Sequence, residues 1–278
     1  MRQIMLRNLH DLLFCNLQYR KVSSLLLNVG YYILYISTHN MPTVVSAYYK
    51  IPSKAPHTQY ELWLRRFFRS ISVPTIFFAS AECKKEFTRL RVNSNIQFVC
   101  LPFEELTAWK YGREFWERQK QRDEETYHTV ELAAVWYEKK EFVARAMKLK
   151  PEEELFIWCD AGCIRTEIAE ASACKFGTRT QHLPNDTLFV QRIGGIPAIP
   201  GPYSYPTVCL AGAIQVGTRK AWATHSNLYD SELLEYDKAG VSGNSDQYVI
   251  LSCIQKYPQN YTHVYLSETD WFAFLTTL

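Results

Sequence analysis

From residue 43 onward, short apolar runs alternate with segments whose apolar residues recur at helical spacing. This alternation restricts the fold more than any single motif does. TVVSAYY at 43–49, PTIFFAS at 74–80 and IQFVCL at 96–101 are β-branched and aromatic runs of strand length. Between the first two, Tyr60, Trp63, Leu64, Phe67, Phe68 and Ile71 share one face of a helix, and Glu82 to Arg91 reads as a polar helix before the third. Strand, helix, strand, helix, strand predicts an α/β protein: a three-layer α/β/α sandwich with a mostly parallel central sheet. Ligands of such a sheet bind at the carboxyl ends of its strands.

The rest of the chain extends the pattern. Residues 102–126 are charged and aromatic and read as an exposed helix or excursion. A long helix follows at 131–148, with Lys139 and Lys140 where its apolar stripe should continue. A lysine there either snorkels to the surface or reaches an anionic ligand. LFIWC at 155–159 is a buried strand ending on Asp160, and 193–207 is an irregular loop rich in glycine and proline. VCLAGAIQVG at 208–217 is a strand running into a helix near Thr218, Ser245 or Asp246 caps a helix to 258, and HVYLS at 263–267 is a last strand.

Residues 1–40 stand apart. They hold four basic residues (Arg2, Arg7, Arg20, Lys21) against one acidic (Asp11), which accounts for the whole formal charge of +3. The body, 41–278, therefore carries no net charge, and nucleic-acid binding, which needs a clustered basic surface, finds no support in it. Within the extension, 22–37 is uncharged but short for a membrane span, so a signal anchor and an appended packed segment both stay open. Membrane association through 1–40 and a cytoplasmic location stay open with them.

The eight cysteines include no CxxC pair, and several lie in apolar runs where a reduced thiol serves as a small buried hydrophobe. A disulfide set, and a redox or zinc site on Cys159, Cys163 and Cys174 with His182 the nearest further ligand, are the other possibilities. Phosphate-loop, GxGxxG, HExxH and GxSxG signatures are absent. What remains is an aspartate closing a strand (Asp160), AGAIQVGT at 211–218, a helix opening with Asp246 and Gln247, and a lysine upstream of Asp160.

Together these segments resemble a glycosyltransferase of the GT-A fold, in which a strand-end DxD aspartate holds the cation that bridges a nucleotide-sugar diphosphate. More narrowly, TVVSAYYKI (43–51), Tyr60 with the Trp63 helix, PTIFFAS, Lys140 before FVARA, WCDAGCIR (158–165), AGAIQVGT, SDQYVI (245–250) and DWFAFL resemble the HtrL/YibB family of glycosyltransferases. The resemblance spans about 43–275 and leaves 1–40 outside.

It implies a nucleotide-sugar donor, a glycan, glycoprotein or glycolipid acceptor, and Mn2+ or Mg2+ at Asp160. It also implies donor contacts from Thr43, Ser46, Tyr48, Lys140, Asp160, Gly162, Arg165, Gly212 and Gly217, and catalysis by Asp246 as base, or by Asp246 or Gln247 orienting the sugar. The second DxD aspartate is replaced by Gly162, which weakens the metal site and leaves a catalytically inactive GT-A-like binding protein as the alternative. Each residue also has a plainer role: Asp160 as a turn cap, Asp246 as a helix cap, Arg165 in a surface ion pair, the glycines as turn formers. If the site is real, Asp160, Asp246 and Lys140 should line one cleft.

Overall fold

The computed structural model describes residues 41–278 apart from 91, 181–182, 184–185 and 205–206; the extension at 1–40 lies outside them. Strands β1 (Thr43–Tyr48), β2 (Thr75–Ala79) and β3 (Ile96–Cys100) alternate with helices α1 (His57–Ser70) and α2 (Ala81–Phe87). Two 3-10 turns (Phe103–Glu105, Thr107–Tyr111) lead to α3 (Arg113–Gln121) and α4 (Val130–Leu149). Then come β4 (Leu155–Cys159), α5 (Glu167–Ala173), β5 (Leu188–Arg192), β6 (Leu210–Thr218), α6 (Arg219–Ala239), α7 (Asp246–Lys256), β7 (Tyr261–Tyr265) and α8 (Phe274–Thr277).

The strands form one seven-stranded sheet in the order β3-β2-β1-β4-β6-β5-β7. Every neighbouring pair is parallel except those made by β6, which runs antiparallel to β4 and β5. Side-chain alternation splits the core into two apolar layers. Val44, Tyr48, Phe77 and Ile157 face α1, α2 and α5, while Val45, Ala47, Phe78, Phe156 and Trp158 face α4, α6 and α7. The expected mostly parallel three-layer sandwich is therefore the observed one.

Several local expectations shift. Residues 102–126 are not an exposed excursion: Trp116 is fully buried and donates its indole N–H to the Ala108 carbonyl, so the segment is part of the core against α4. The last strand lies at 261–265, and β5 and α5 are elements the sequence pattern does not announce. Ser245 stands at the N-cap of α7 but its side chain makes no cap bond. Among the described residues no helix is long and apolar enough to cross a membrane.

Candidate functional site

The site is built at the carboxyl edge of β4. That strand is apolar enough to be buried on both faces, and its pairing to β6 continues one residue further, through Asp160 N–H to the Ala213 carbonyl (2.8 Å). A turn closed by Cys163 N–H on the Asp160 carbonyl then lifts the chain off the sheet. By strand alternation Asp160 shares the face of Trp158, whose indole N–H donates to Asp160 Oδ1 at 2.7 Å. That face is covered by α4.

Three acceptors from three elements meet there on one ammonium. Lys139 Nζ lies 3.1 Å from Asp160 Oδ1 and 2.8 Å from Asp246 Oδ2, and donates to the Gly212 carbonyl at 2.9 Å. The contact with Asp246 is an ion pair rather than an aligned hydrogen bond. Burial alone would push the ammonium toward neutrality; Asp160 and Asp246 outweigh it and raise its pKa. For Asp246 burial dominates and raises the carboxyl pKa, with Lys139 pulling the other way.

The two carboxylates are not equivalent. Asp160 keeps a side chain 33% exposed, whereas that of Asp246 is 4% exposed. Asp160 is thus the carboxylate a solute can reach, and Asp246 stands behind Lys139.

Asp246 is held from several sides. A Cβ on Gly212 would lie 2.8 Å from its Oδ2 and 3.0 Å from its Oδ1, so the carboxylate occupies the space that the missing side chain leaves. Gln247 donates to the Leu210 carbonyl at 2.8 Å, tying α7 to β6. The preceding loop is anchored to α3 and the turn after it: Ser242 donates to the Gln119 carbonyl, Gly243 N–H to Gln119 Oε1, and Asn244 to Asp123 Oδ2.

The lysine between the aspartates is Lys139; Lys140 goes elsewhere. Its ammonium pairs with Asp230 at 2.9 Å and Glu141 at 2.6 Å and lies 3.9 Å from the Tyr137 ring centre. Consecutive helical residues point about 100° apart, so only one of the pair can face β4. Both lysines nevertheless border one cavity of about 10 Å³, with Trp136, Gln215, His225 and Asp246 among its walls. That is room for a single water, and Gln215 Oε1 is an acceptor there without a hydrogen-bond partner.

On the opposite face of the same turn lies an aromatic rim. A Cβ on Gly162 would come within 3.0 Å of Tyr60 and 3.1 Å of Trp63, so this glycine lets the turn pack under α1. Arg165 donates Nε–H to the Gly162 carbonyl at 3.0 Å, and its guanidinium lies 4.5 Å from the Trp63 ring and 4.7 Å from Phe272. Burial raises the Tyr60 pKa; a hydrogen bond with Ser53 lowers it, the Asp160 charge raises it further, and Arg165 and Lys139 oppose. The charges of Asp160, Lys139 and Arg165 thus all act on this one hydroxyl.

Other predicted residues are placed apart from this centre. Thr43 begins β1 and pairs with Phe156, at the amino end of the sheet, with its hydroxyl buried and unpartnered. Gly217 faces Leu188, Ala221 and Trp222, all core side chains. Ser46 is buried in mid-strand, its hydroxyl also unpartnered. Tyr48 ends β1 at the carboxyl edge of the sheet but on the face of α1 and α2, where its hydroxyl is 2.6 Å from His57 Nδ1, and His57 Nε2 is 3.2 Å from Glu86.

The cysteine reading gains little. Cys159 and Cys163 bring their sulfurs to 3.2 Å, but both are buried, and burial pushes the Cys159 thiol up, away from thiolate. Cys174 is exposed and bonded to its own helix, and His182 lies outside the described residues. Among the described residues no group of three or more His, Cys, Asp or Glu side chains could hold a metal ion. Asp160 offers a divalent ion one unengaged oxygen, its other being shared by Lys139 and Trp158.

No family model and no curated protein matches the sequence. Among solved structures the chain is similar to mouse xyloside xylosyltransferase 1 in its apo form (TM-score 0.46, 13% identity, covering 80% of this chain and 84% of that one). It is also similar to a glycosyltransferase involved in the glycosylation of the major capsid of PBCV-1 (TM-score 0.40, 11% identity, 82% of each chain). At these overlaps neither assigns a role to any residue here.

Gln215 has no assigned role in the sequence reading and Trp158 enters it only within the WCDAGCIR segment; the lysine found between the two aspartates is Lys139, where Lys140 is expected to line the cleft. One signal was available: Lys139 lies three residues from both Trp136 and Phe142 and four from both Val135 and Val143, the middle of the apolar stripe.

Proposed function

We propose that this chain is a glycosyltransferase of the HtrL/YibB kind, with a GT-A-like body at 41–278, moving a sugar from a nucleotide-sugar donor to a glycan, glycoprotein or glycolipid acceptor. One observation carries the reading: Asp160 from the end of β4 and Asp246 from the start of α7 converge on Lys139 at the carboxyl edge of a mostly parallel sheet. Independent turn and helix caps have no reason to meet on a buried ammonium.

The roles follow from reach and charge. Asp160, the open carboxylate, accepts hydrogen bonds from sugar hydroxyls, with Lys139 and Trp158 fixing its other oxygen. Arg165, exposed and flanked by the Trp63 and Phe272 rings, offers the phosphates a planar fork. In transfer the acceptor hydroxyl oxygen bonds the sugar's anomeric carbon, the bond from that carbon to the donor's phosphate oxygen breaks and the nucleotide leaves, and the hydroxyl proton goes to Asp160, the carboxylate a solute can reach. Asp246 is closed to the acceptor and acts through Lys139 as a positioning residue. Gln247 holds α7 in place.

The second reading is a GT-A-like protein that binds carbohydrate or a partner without turnover. The observation favouring it is the closed Asp246 together with Gly162 in place of a second aspartate.

Calorimetric titration with UDP, GDP and CMP, and with their sugar conjugates, tests donor binding. One nucleotide class should bind, and Arg165→Ala should weaken it about tenfold or more, the scale of a charge-assisted phosphate contact. Absence of binding by every nucleotide contradicts the proposal.

A further inference from the structure

We infer that the Lys139 ammonium stands where a divalent cation would sit between these carboxylates, so that the site handles its phosphorylated donor without Mg2+ or Mn2+. The inference deepens the transferase reading and, for its donor half, rests on it.

Hard divalent ions need several oxygen ligands, and Mg2+ demands six in near-octahedral array at about 2.0–2.1 Å. The two carboxylates that could begin such a set are already drawn to Lys139, at 3.1 and 2.8 Å. Asp160 Oδ1 has a second donor in the Trp158 indole, and Asp246 is closed off. A third carboxylate is not offered by the turn itself, and a side chain at position 162 would need the Tyr60 and Trp63 rings, 3.0 and 3.1 Å from its Cβ, to give way. Close packing under α1 thus favours glycine where the DxD pattern has its second aspartate. A divalent ion on Asp160 would also stand close to a full positive charge that its pairing keeps protonated, an arrangement repelled at any protein dielectric.

The positive charge a diphosphate needs is present in another form. Arg165 has its Nε–H committed to the Gly162 carbonyl and lies 4.5 Å from the Trp63 ring and 4.7 Å from the Phe272 ring, while its terminal nitrogens make no ion pair with any described residue. A guanidinium so immobilised loses little freedom on gripping a phosphate. Lys139 fixes the carboxylate that receives the sugar, and Arg165 takes the phosphate charge.

The test has two arms on the full chain. In the first, metal-stripped protein is titrated with Mn2+ and the free ion is followed by electron paramagnetic resonance. Wild type should sequester no more Mn2+ than Asp160→Asn does. Lys139→Met, which leaves two carboxylates facing one another, should bind Mn2+ at least about tenfold more tightly than wild type and be thermally stabilised by it. In the second arm, affinities for UDP, GDP and CMP are compared in EDTA and in Mn2+; they should agree within about threefold.

Mn2+ uptake by wild type that Asp160→Asn abolishes, or nucleotide binding that falls about tenfold in EDTA, overturns the inference. If no nucleotide binds under either condition, the transferase reading fails while the Mn2+ arm still decides the cation's place. Should Lys139→Met fail to fold, the comparison of wild type with Asp160→Asn decides alone.

Discussion

At the scale of single residues, the centre depends on a glycine as much as on its charges. Gly212 has no side chain because the Asp246 carboxylate fills that space. Gly212→Ala should therefore destabilise the protein by about 1–3 kcal/mol, the range for overpacking a core. Pairing it with Asp246→Ala removes the colliding group, so a double-mutant cycle from denaturant melts should show strong coupling between the two positions. Simple addition of the two effects would mean the contact is not the reason for the glycine. Lys139 makes the converse point. Its removal leaves two carboxylates uncompensated, one of them buried, and Lys139→Met should cost about 3–5 kcal/mol by thermal or urea unfolding at neutral pH.

At the scale of elements, α4 organises this half of the molecule by sending three consecutive charged residues in three directions. Glu138 accepts from the Ala108 N–H at 2.9 Å and holds the 3-10 turn, Lys139 joins the aspartates, and Lys140 reaches Asp230 on α6. Each is buried, so each must find a partner or change its charge. Glu138 is only partly compensated: its Oε1 makes no hydrogen bond and only a 3.6 Å ion pair with Arg145, and burial pushes its carboxyl up to about 7 despite backbone N–H donors from Thr107 and Ala108 and the Arg145 charge. The folded state then holds this proton more tightly than the unfolded chain does. Its contribution to stability is fully present below the ordinary glutamate range and is lost as pH rises to about 7, a change on the order of 3 kcal/mol. Glu138→Gln should flatten the pH dependence of stability between about 5 and 7, measured by urea melts across that range. An unchanged slope would mean that Glu138 is ionised throughout.

The helix also shows what a sequence carries and what it withholds. That α4 exists, and that lysines interrupt its apolar stripe, is readable from spacing. Which lysine meets Asp160 depends on how α4 is rotated against β4, and that rotation is set by contacts such as Phe142 stacked on Trp158, which join residues distant in sequence. Asp160 and Asp246 are readable because each stands where a pattern changes, strand to turn and loop to helix. Gly212 and Gly217 look alike in sequence and differ only in what each faces. The strand β5 and helix α5 are short, and their residues lack the clear alternation or stripe that marks their neighbours.

At the scale of the whole molecule, the strand order, the antiparallel β6 and the two helical layers bring the end of β4, the middle of β6, the start of α7 and the flank of α4 to one point. Residues 1–40 carry the entire net charge, so the body that holds this point has as many acidic as basic side chains.

The central claim is that this point transfers sugar. Release of nucleoside diphosphate from a panel of UDP-, GDP- and CMP-linked sugars, with CMP release followed for the last, measures it most directly, with wild type beside Asp160→Asn. Wild type should turn over one donor, and the variant should lose about a hundredfold or more, the scale of a positioned catalytic carboxylate. Turnover that survives Asp160→Asn unchanged would contradict it.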